Sequence, residues 1–377
     1  MQSVQDIRRH PKYINRTEQK GKREDDMTLG REKIHFLNTP TPLERMNRVS
    51  EDLGFEFWMK RDDLTNLGTG GNKLRKLEYF LKDALDQHAT MLLTVGGAQT
   101  NHGRLTAAVA AKYGLKSAIV SVDEYPGELS ANLLLDGMMD CHVYLVHQKE
   151  GEDADELLQN AVKQVTAEWE SKGESVYYIP MGGSNELGAL GYYDCAVELD
   201  RQIREQGLKN PHLIVTAGSL GTYTGLAAAI KNEHLSMKLS GISVLPFSGA
   251  DSAEKRRNGQ KDAKAYYERL KACYGLSEDI PKKEFDLITE YDGGAYNNPL
   301  KNVREAMYYL ARTEGIITDP CYTGKTLAGI LAMAKEGRFK GETVIMIHTG
   351  GIPGIYTKHH RVEMEKELID HIHLMNQ

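Results

Sequence analysis

The chain has 377 residues, 40% of them hydrophobic, with 47 basic against 53 acidic side chains and a formal net charge of -6. It carries no basic block of the kind nucleic acid requires and no apolar run long enough to span a bilayer, so neither is an expected partner. Its four cysteines, Cys141, Cys195, Cys273 and Cys321, are far apart and form no C-x-x-C pair, which points away from zinc sites and disulfide frameworks.

The opening "MQSVQDIRRHPKYINRTEQKGKREDD" has no apolar core and mixes acidic with basic residues, so it reads as neither a secretory signal nor a transit peptide. The expectation is a cytoplasmic α/β protein with a polar extension over residues 1–32, either loose or packed on a partner subunit. From about residue 55 strands and helices alternate. "FEFWMKRDD" alternates as a strand does. "NKLRKLEYFLKDALDQ" places Leu74, Leu77, Phe80, Leu81 and Leu85 at helical spacing. "TMLLTVGG" is a short apolar run that ends in glycines, as a buried parallel strand would. "QTNHGRLTAAVAAKYG" predicts a helix closed by Gly114, and "KSAIVSV" the next strand. "DCHVYLV" and "VYYIPMGG" are strands separated by the amphipathic "ADELLQNAVKQVTAEW". "HLIVTAGSLGTYTGLAAAI" reads as strand, glycine loop and helix. "LSGISVLPF" and "GETVIMIHTGG" are further strands, and the charged stretch from Asp251 to about Lys283 is helical in character. Such alternation predicts parallel sheets covered by helices on both faces. Ligands then sit at the carboxyl ends of the strands, where "VGGAQTN", "MGGSN", "AGSLGT" and "HTGG" should converge.

Two features carry chemistry. In "TAGSLGTYTGL" the backbone N–H groups of Gly218, Ser219, Leu220, Gly221 and Thr222 can face one anion at a helix N-terminus, with the Ser219 and Thr222 hydroxyls beside them. An ordinary strand-to-helix turn of small residues is the alternative. The second feature is Lys73 in "GGNKLRKLEYF". A lysine in the first turn of a helix opposes the helix dipole, and two preceding glycines leave room for a flat ring. A partly dry amine with a depressed pKa is a nucleophile toward carbonyls. Together, a phosphate cup and such a lysine meet the requirements of pyridoxal 5'-phosphate.

The stretches "KRDDLTNLGTGGNKLRKLEYF", "VGGAQTNHGRLTAAVAAKYGL", "MGGSNELGALGYYDCAVEL", "AGSLGTYTGL", "ARTEGIITDPCYTGKTLAGI" and "IHTGGIPGIY" resemble, in order, the D-cysteine desulfhydrase and 1-aminocyclopropane-1-carboxylate deaminase family. These are pyridoxal-phosphate enzymes of the tryptophan-synthase-β type, fold type II. The resemblance runs from about Asn38 to Tyr356. It implies two doubly wound parallel-sheet domains, a small one over 86–194 and a large one over 33–85 and 195–377, and a homodimer. It makes Lys73 the Schiff-base lysine and the base for the substrate α-proton. Asn101 matches the asparagine on the cofactor's ring hydroxyl, and Thr100, Asn101 and His102 match the loop that holds the substrate carboxylate. His102 could instead be a helix-start residue satisfied by backbone.

Where the family usually has serine, this chain has Thr100. The added methyl is expected to redirect substrate discrimination by about 1–3 kcal/mol. Tyr296 and Tyr322 match two active-site tyrosines. Thr323 matches a glutamate that faces the pyridine nitrogen in the deaminase. A neutral threonine leaves the ring a weaker electron sink, enough for expelling a thiolate but poor for opening a cyclopropane. The resemblance thus implies β-elimination from a small amino acid, D-cysteine giving pyruvate, ammonia and sulfide. Another β-substituted amino acid, the cyclopropane amino acid, or a pyridoxal-phosphate-binding protein without turnover are the alternatives.

Overall fold

The computed structural model describes residues 27–298, 300–373 and 375, so most of the expected N-terminal extension lies outside the described residues. The chain order is β1 (Met27–Thr28), β2 (Arg31–Glu32), β3 (Leu43–Arg45), α1 (Asn47–Leu53), β4 (Phe57–Lys60), α2 (Lys73–Asp86), β5 (Met91–Val95) and α3 (Asn101–Tyr113). It continues with β6 (Lys116–Val122), α4 (Ala131–Met138), β7 (His142–Val146), α5 (Ala154–Ser171), β8 (Val176–Ile179), α6 (Glu186–Gln206), β9 (Pro211–Ala217) and α7 (Gly221–Asn232). The last elements are β10 (Lys238–Ser243), α8 (Ser252–Tyr274), β11 (Asp286–Ile288), α9 (Lys301–Glu314), α10 (Thr323–Lys335), β12 (Thr343–Ile347) and α11 (Lys358–Leu368).

These strands form two main sheets, β11-β10-β9-β12-β4-β3 and β7-β6-β5-β8. All pairings within them are parallel except the edge strand β3, which runs antiparallel to β4. β1 and β2 make a short hairpin whose Thr28 bonds Asp194 of α6 in the same chain. Among the described residues no helix is long and apolar enough to cross a membrane.

Alternation along β9 shows how the large sheet is covered. Leu213, Val215 and Ala217 pack with Ala189, Tyr192 and Leu199 of α6 and Leu226 of α7. Ile214, facing the other way, packs with Met59, Ile242, Leu310, Leu327 and Ile330. Each such fully buried aliphatic side chain adds roughly 1.5–3 kcal/mol. β4 departs from its expected alternation: Phe57, Trp58, Met59 and Lys60 are all buried, because the strand lies inside a sheet covered on both faces. The buried Lys60 is held by Glu198 of α6.

The boundaries expected at 86 and 194 do not follow the packing. α2 packs Leu74, Leu77, Phe80 and Leu81 with Leu92, Leu105, Val109 and Ile179 of the small sheet's core. α6 packs in the large sheet's core from Ala189 to Ile203, and a cut at 194 would divide it. Charges join the two helices. Arg75 of α2 bonds Asp62 (2.9 Å) and Glu198 of α6 (2.9 Å), and Tyr192 donates to Asp62 (2.6 Å).

Candidate active site

A cavity of about 300 Å³ opens at the carboxyl ends of strands from both sheets. Its walls are Gly96, Gly97 and Thr100–His102 after β5, Met181 and Gly182 after β8, Gly218–Leu220 and Thr222 after β9, and Thr349 and Gly350 after β12. The glycine loops converge as the alternation predicts.

Lys73 enters this cavity as the first residue of α2. The turn before it needs glycine. Gly70 has φ +75°, and a Cβ there would stand 1.9 Å from the Asp63 carbonyl oxygen. Gly350 crosses so closely that its Cβ would lie 2.8 Å from Gly71 Cα. The Asn72 N–H donates to the Thr349 carbonyl (3.0 Å) and locks the crossing. Lys73 Nζ donates to Asn72 Oδ1 (2.9 Å), and Asn72 Nδ2 donates to Thr222 Oγ1 (3.1 Å), so one amide joins lysine to glycine loop. Burial, helped by the Arg104 charge and opposed by Asp319, lowers the Lys73 amine to about 8.

In the glycine loop, Leu220 takes a left-handed conformation (φ 64°) at the entry to α7. The first N–H groups of a helix have no intrahelical acceptor, which suits an anion. Gly221 departs from the expectation: its N–H turns back to the Ser219 carbonyl (2.9 Å). Ser219 Oγ meets Ser184 Oγ at 2.6 Å. A residue that the sequence reading passed over stands behind this loop. Lys76 is buried, its Nζ donates to the Gly182 carbonyl (3.1 Å) and Ser184 Oγ (3.4 Å), and a Cβ on Gly221 would lie 2.9 Å from that Nζ. Burial and the Lys73 charge hold its amine well below the ordinary lysine range. Its spacing of three from Lys73, which puts both on one helix face, was the available signal.

Thr100 caps α3, its Oγ1 accepting from the Gly103 N–H (3.3 Å). A Cβ built on Gly103 would stand 2.4 Å from Thr100 Cγ2 and 2.5 Å from Ile119 Cδ1, so the methyl fills the notch that this glycine leaves. The hydroxyl hydrogen is left for a ligand. Asn101 lines the cavity, with Oδ1 accepting from Arg104 Nη1 (3.1 Å) and Asn132 Nδ2 (3.0 Å). His102 is buried, and neither of its ring nitrogens has a partner among the described residues, so backbone does not satisfy it. Burial, with Lys73 and Lys76 nearby, drives its pKa well below the usual histidine range and leaves the ring neutral.

Tyr296 and Tyr322 line the cavity with their hydroxyls bonded to each other. Burial and the facing Tyr296 push the Tyr322 hydroxyl far above its usual range, so it stays protonated at neutral pH. Lys325, also missed, pins the Tyr296 loop by donating to the carbonyls of Val244 (3.1 Å), Asp292 (2.8 Å) and Ala295 (2.7 Å). Thr323 is fully buried and is not among the residues that line the cavity. Its Oγ1 donates to Asp319 Oδ1 (2.6 Å) and accepts from the Asp319 N–H (2.8 Å). The reason is local: Asp319 caps the start of α10, also accepting the N–H groups of Tyr322 (2.8 Å) and Thr323 (2.8 Å), and draws the threonine into that cap.

This donor set fits pyridoxal phosphate. The depressed amine of Lys73 suits an aldehyde, Gly71 and Gly350 keep that stretch of the cavity wall free of side chains, and the α7 N-terminus backed by Lys76 suits a phosphate. The comparisons agree. The sequence model of the family "Pyridoxal-phosphate dependent enzyme" matches residues 34–350. The chain is similar to the "Putative 1-aminocyclopropane-1-carboxylate deaminase" of Pyrococcus abyssi, 35% identical over 337 residues, which span 89% of this chain and 96% of that protein. It is similar to the crystal structure of an "ACC deaminase homologue", with a TM-score of 0.75 and 30% identity over 90% of this chain and 96% of that one. Its likeness to O-ureido-L-serine synthase is one of fold alone, with a TM-score of 0.57 and 16% identity over 85% of this chain and 92% of that one.

Proposed function

Since the chain belongs to the pyridoxal-phosphate-dependent enzymes, of the 1-aminocyclopropane-1-carboxylate deaminase and D-cysteine desulfhydrase type, we propose that it is a lyase that removes the β-substituent of a small amino acid, with D-cysteine as substrate. Bound pyridoxal phosphate supplies an electron sink for charge that develops at the substrate α-carbon. Lys73 anchors the cofactor and, once the substrate amine displaces it, takes the α-proton. With its pKa near 8, a useful fraction of this amine is neutral at physiological pH. The α7 N-terminus and Lys76 hold the phosphate, and Asn101 donates to the ring oxygen. Thr100 and the neutral His102 hold the substrate carboxylate and so fix which α-substituent faces Lys73. Tyr322 and Tyr296, which line the cavity, supply a proton to the departing β-substituent. The β-substituent leaves as sulfide, and the unsaturated amine that remains is hydrolysed by one water to pyruvate and ammonia.

One observation carries this reading. The described residues lining the cavity include lysine, arginine, hydroxyls and amides but no Asp or Glu, and Thr323, which matches the deaminase's glutamate in sequence, is drawn into the Asp319 cap instead. Such a wall lacks the carboxylate that would hold a proton on the ring nitrogen. The relatives' names favour a second reading, in which the cyclopropane amino acid is opened to 2-oxobutanoate and ammonia. The resemblance also supports a cytoplasmic homodimer. Purified protein supplied with pyridoxal phosphate should release pyruvate and sulfide from D-cysteine faster than from L-cysteine, and Lys73→Ala should abolish it. Release of 2-oxobutanoate from the cyclopropane amino acid, with no sulfide from D-cysteine, would establish the second reading. Cofactor binding without either product would leave a binding protein that does no chemistry on these substrates.

A further inference from the structure

Arg104 lies on α3 one turn beyond Asn101 and is completely enclosed. Its guanidinium bridges the two walls of the cavity. Nη1 donates to Asn101 Oδ1 (3.1 Å) and Asn132 Oδ1 (2.9 Å), and Nη2 donates to the Gly70 carbonyl (3.0 Å). Asn132, on α4, donates to Asn101 Oδ1 (3.0 Å) and to the Gln99 carbonyl (2.7 Å), while its N–H is held by Gln99 Oε1 (2.9 Å). Two donors on one oxygen settle the Asn101 amide: Oδ1 is committed to Arg104 and Asn132, and Nδ2 is the group left for a ligand.

We infer that Arg104 is a positioning residue that aims the Asn101 amide at the cofactor ring, pins the glycine turn from which Lys73 starts, and acts as the resident cation beside that lysine. This rests on the assignment of Lys73 and Asn101 to the cofactor. Nη1 and Nη2 point from one rigid plane to the Asn101–Asn132 pair and to Gly70, a fixed spread of donors that a compact ammonium does not reproduce. The charge also remains effective. The Arg104 hydrogen bonds go to neutral oxygens; Asp136 on α4 and Asp319 attract it from outside that set, and burial pushes the Asp136 carboxyl up to about 7. Around Lys73 stand Arg104, Lys76 and His102 on the basic side, Asp319 on the acidic side, and the hydroxyls of Tyr296 and Tyr322. After burial, Arg104 is the largest influence that lowers the Lys73 amine.

The test uses full-length protein stripped of cofactor and resupplied with pyridoxal phosphate. The rate of adduct formation is followed by absorbance against pH, the cofactor Kd is measured, and the borohydride-reduced adduct is mapped by mass spectrometry. The wild type should show a rate midpoint near 8, where the Lys73 amine loses its proton. Arg104→Gln should move that midpoint up by about one unit and weaken cofactor binding about tenfold or more. Arg104→Lys should weaken binding but keep the midpoint, because the charge stays and the fork is lost. Asn132→Ala should weaken binding with no shift, and it carries the test if Arg104→Gln does not fold. Equal affinity losses in both Arg104 variants with an unmoved midpoint would mean a merely structural role and overturn the inference. So would wild-type affinity in Asn132→Ala. An adduct mapped to a lysine other than Lys73 would overturn the site assignment itself.

Discussion

Replacing Gly103 with alanine tests how Thr100 is held. Gly103 lies within α3, so alanine there gains about 0.5–1 kcal/mol of helix propensity. Against that, the new Cβ stands 2.4 Å from Thr100 Cγ2 and 2.5 Å from Ile119 Cδ1, contacts that side chains must move to relieve. Overpacking of this kind costs about 1–3 kcal/mol, so Gly103→Ala should destabilise the protein by about 0.5–2 kcal/mol. Thr100→Ser deletes Cγ2 and keeps the capping oxygen, at a cost of about 1 kcal/mol for the lost methyl. In that background Ile119 Cδ1 at 2.5 Å and Cγ1 at 3.0 Å remain, so Gly103→Ala should still be felt but cost clearly less than in the wild type. The cycle of four proteins, unfolded in urea at equilibrium, should therefore show a coupling of about 1–2 kcal/mol at unchanged m. Additivity within about 0.3 kcal/mol would refute the reasoning and return the Thr100 methyl to the ligand space. With coupling as expected, Thr100→Ser should leave the ranking of substrates unchanged.

Lys76→Met should raise the pyridoxal-phosphate Kd about tenfold to a hundredfold through loss of a charged hydrogen bond, yet leave the cofactor-free protein as stable or more so, as calorimetry would show. Lys325→Met strands three carbonyls near Tyr296, so turnover should fall and stability drop by about 1–3 kcal/mol, with cofactor affinity unchanged. Asp62, held by Arg75, has its pKa lowered to about 2 from an ordinary 3.8. A depressed carboxylate stabilises the fold above its unfolded pKa, so about 2 kcal/mol should persist down to about pH 4 and be lost as pH falls toward 2. Arg75→Met, which strands Asp62 and Glu198, should cost about 3–5 kcal/mol in urea melts at neutral pH.

What the sequence disclosed was local. The helical spacing of Leu74, Leu77, Phe80 and Leu81 marked α2, and glycines after apolar runs marked loops that do meet at one cavity. Lys73 was legible because its charge sits against a helix dipole. Arg104 and Asn132 were not, since each takes its meaning from a partner 28 or 31 positions away. Thr323 misled because motif position says nothing about which neighbour wins a hydroxyl, and Asp319, four residues earlier, wins it. Whether the Thr100 methyl faces ligand or core is likewise not legible in the sequence, because it depends on Gly103 and Ile119, and Ile119 comes from another element. The domain boundary failed because α2 and α6 are long helices whose faces serve different cores.

That last arrangement has a mechanical meaning. Lys73 heads a helix whose apolar face belongs to the small sheet, while the glycine loop that suits the phosphate heads a helix seated on the large one. A ligand that spans both therefore measures the gap between two cores it never touches. Between them lies the Arg75 cluster, stiff in its directional bonds and set in place by charge rather than by shape. Changes deep in either core, at Leu77 or at Leu226, should therefore alter the reach of the amine without altering a single cavity residue, which would open the catalytic rate to tuning from positions that look purely structural.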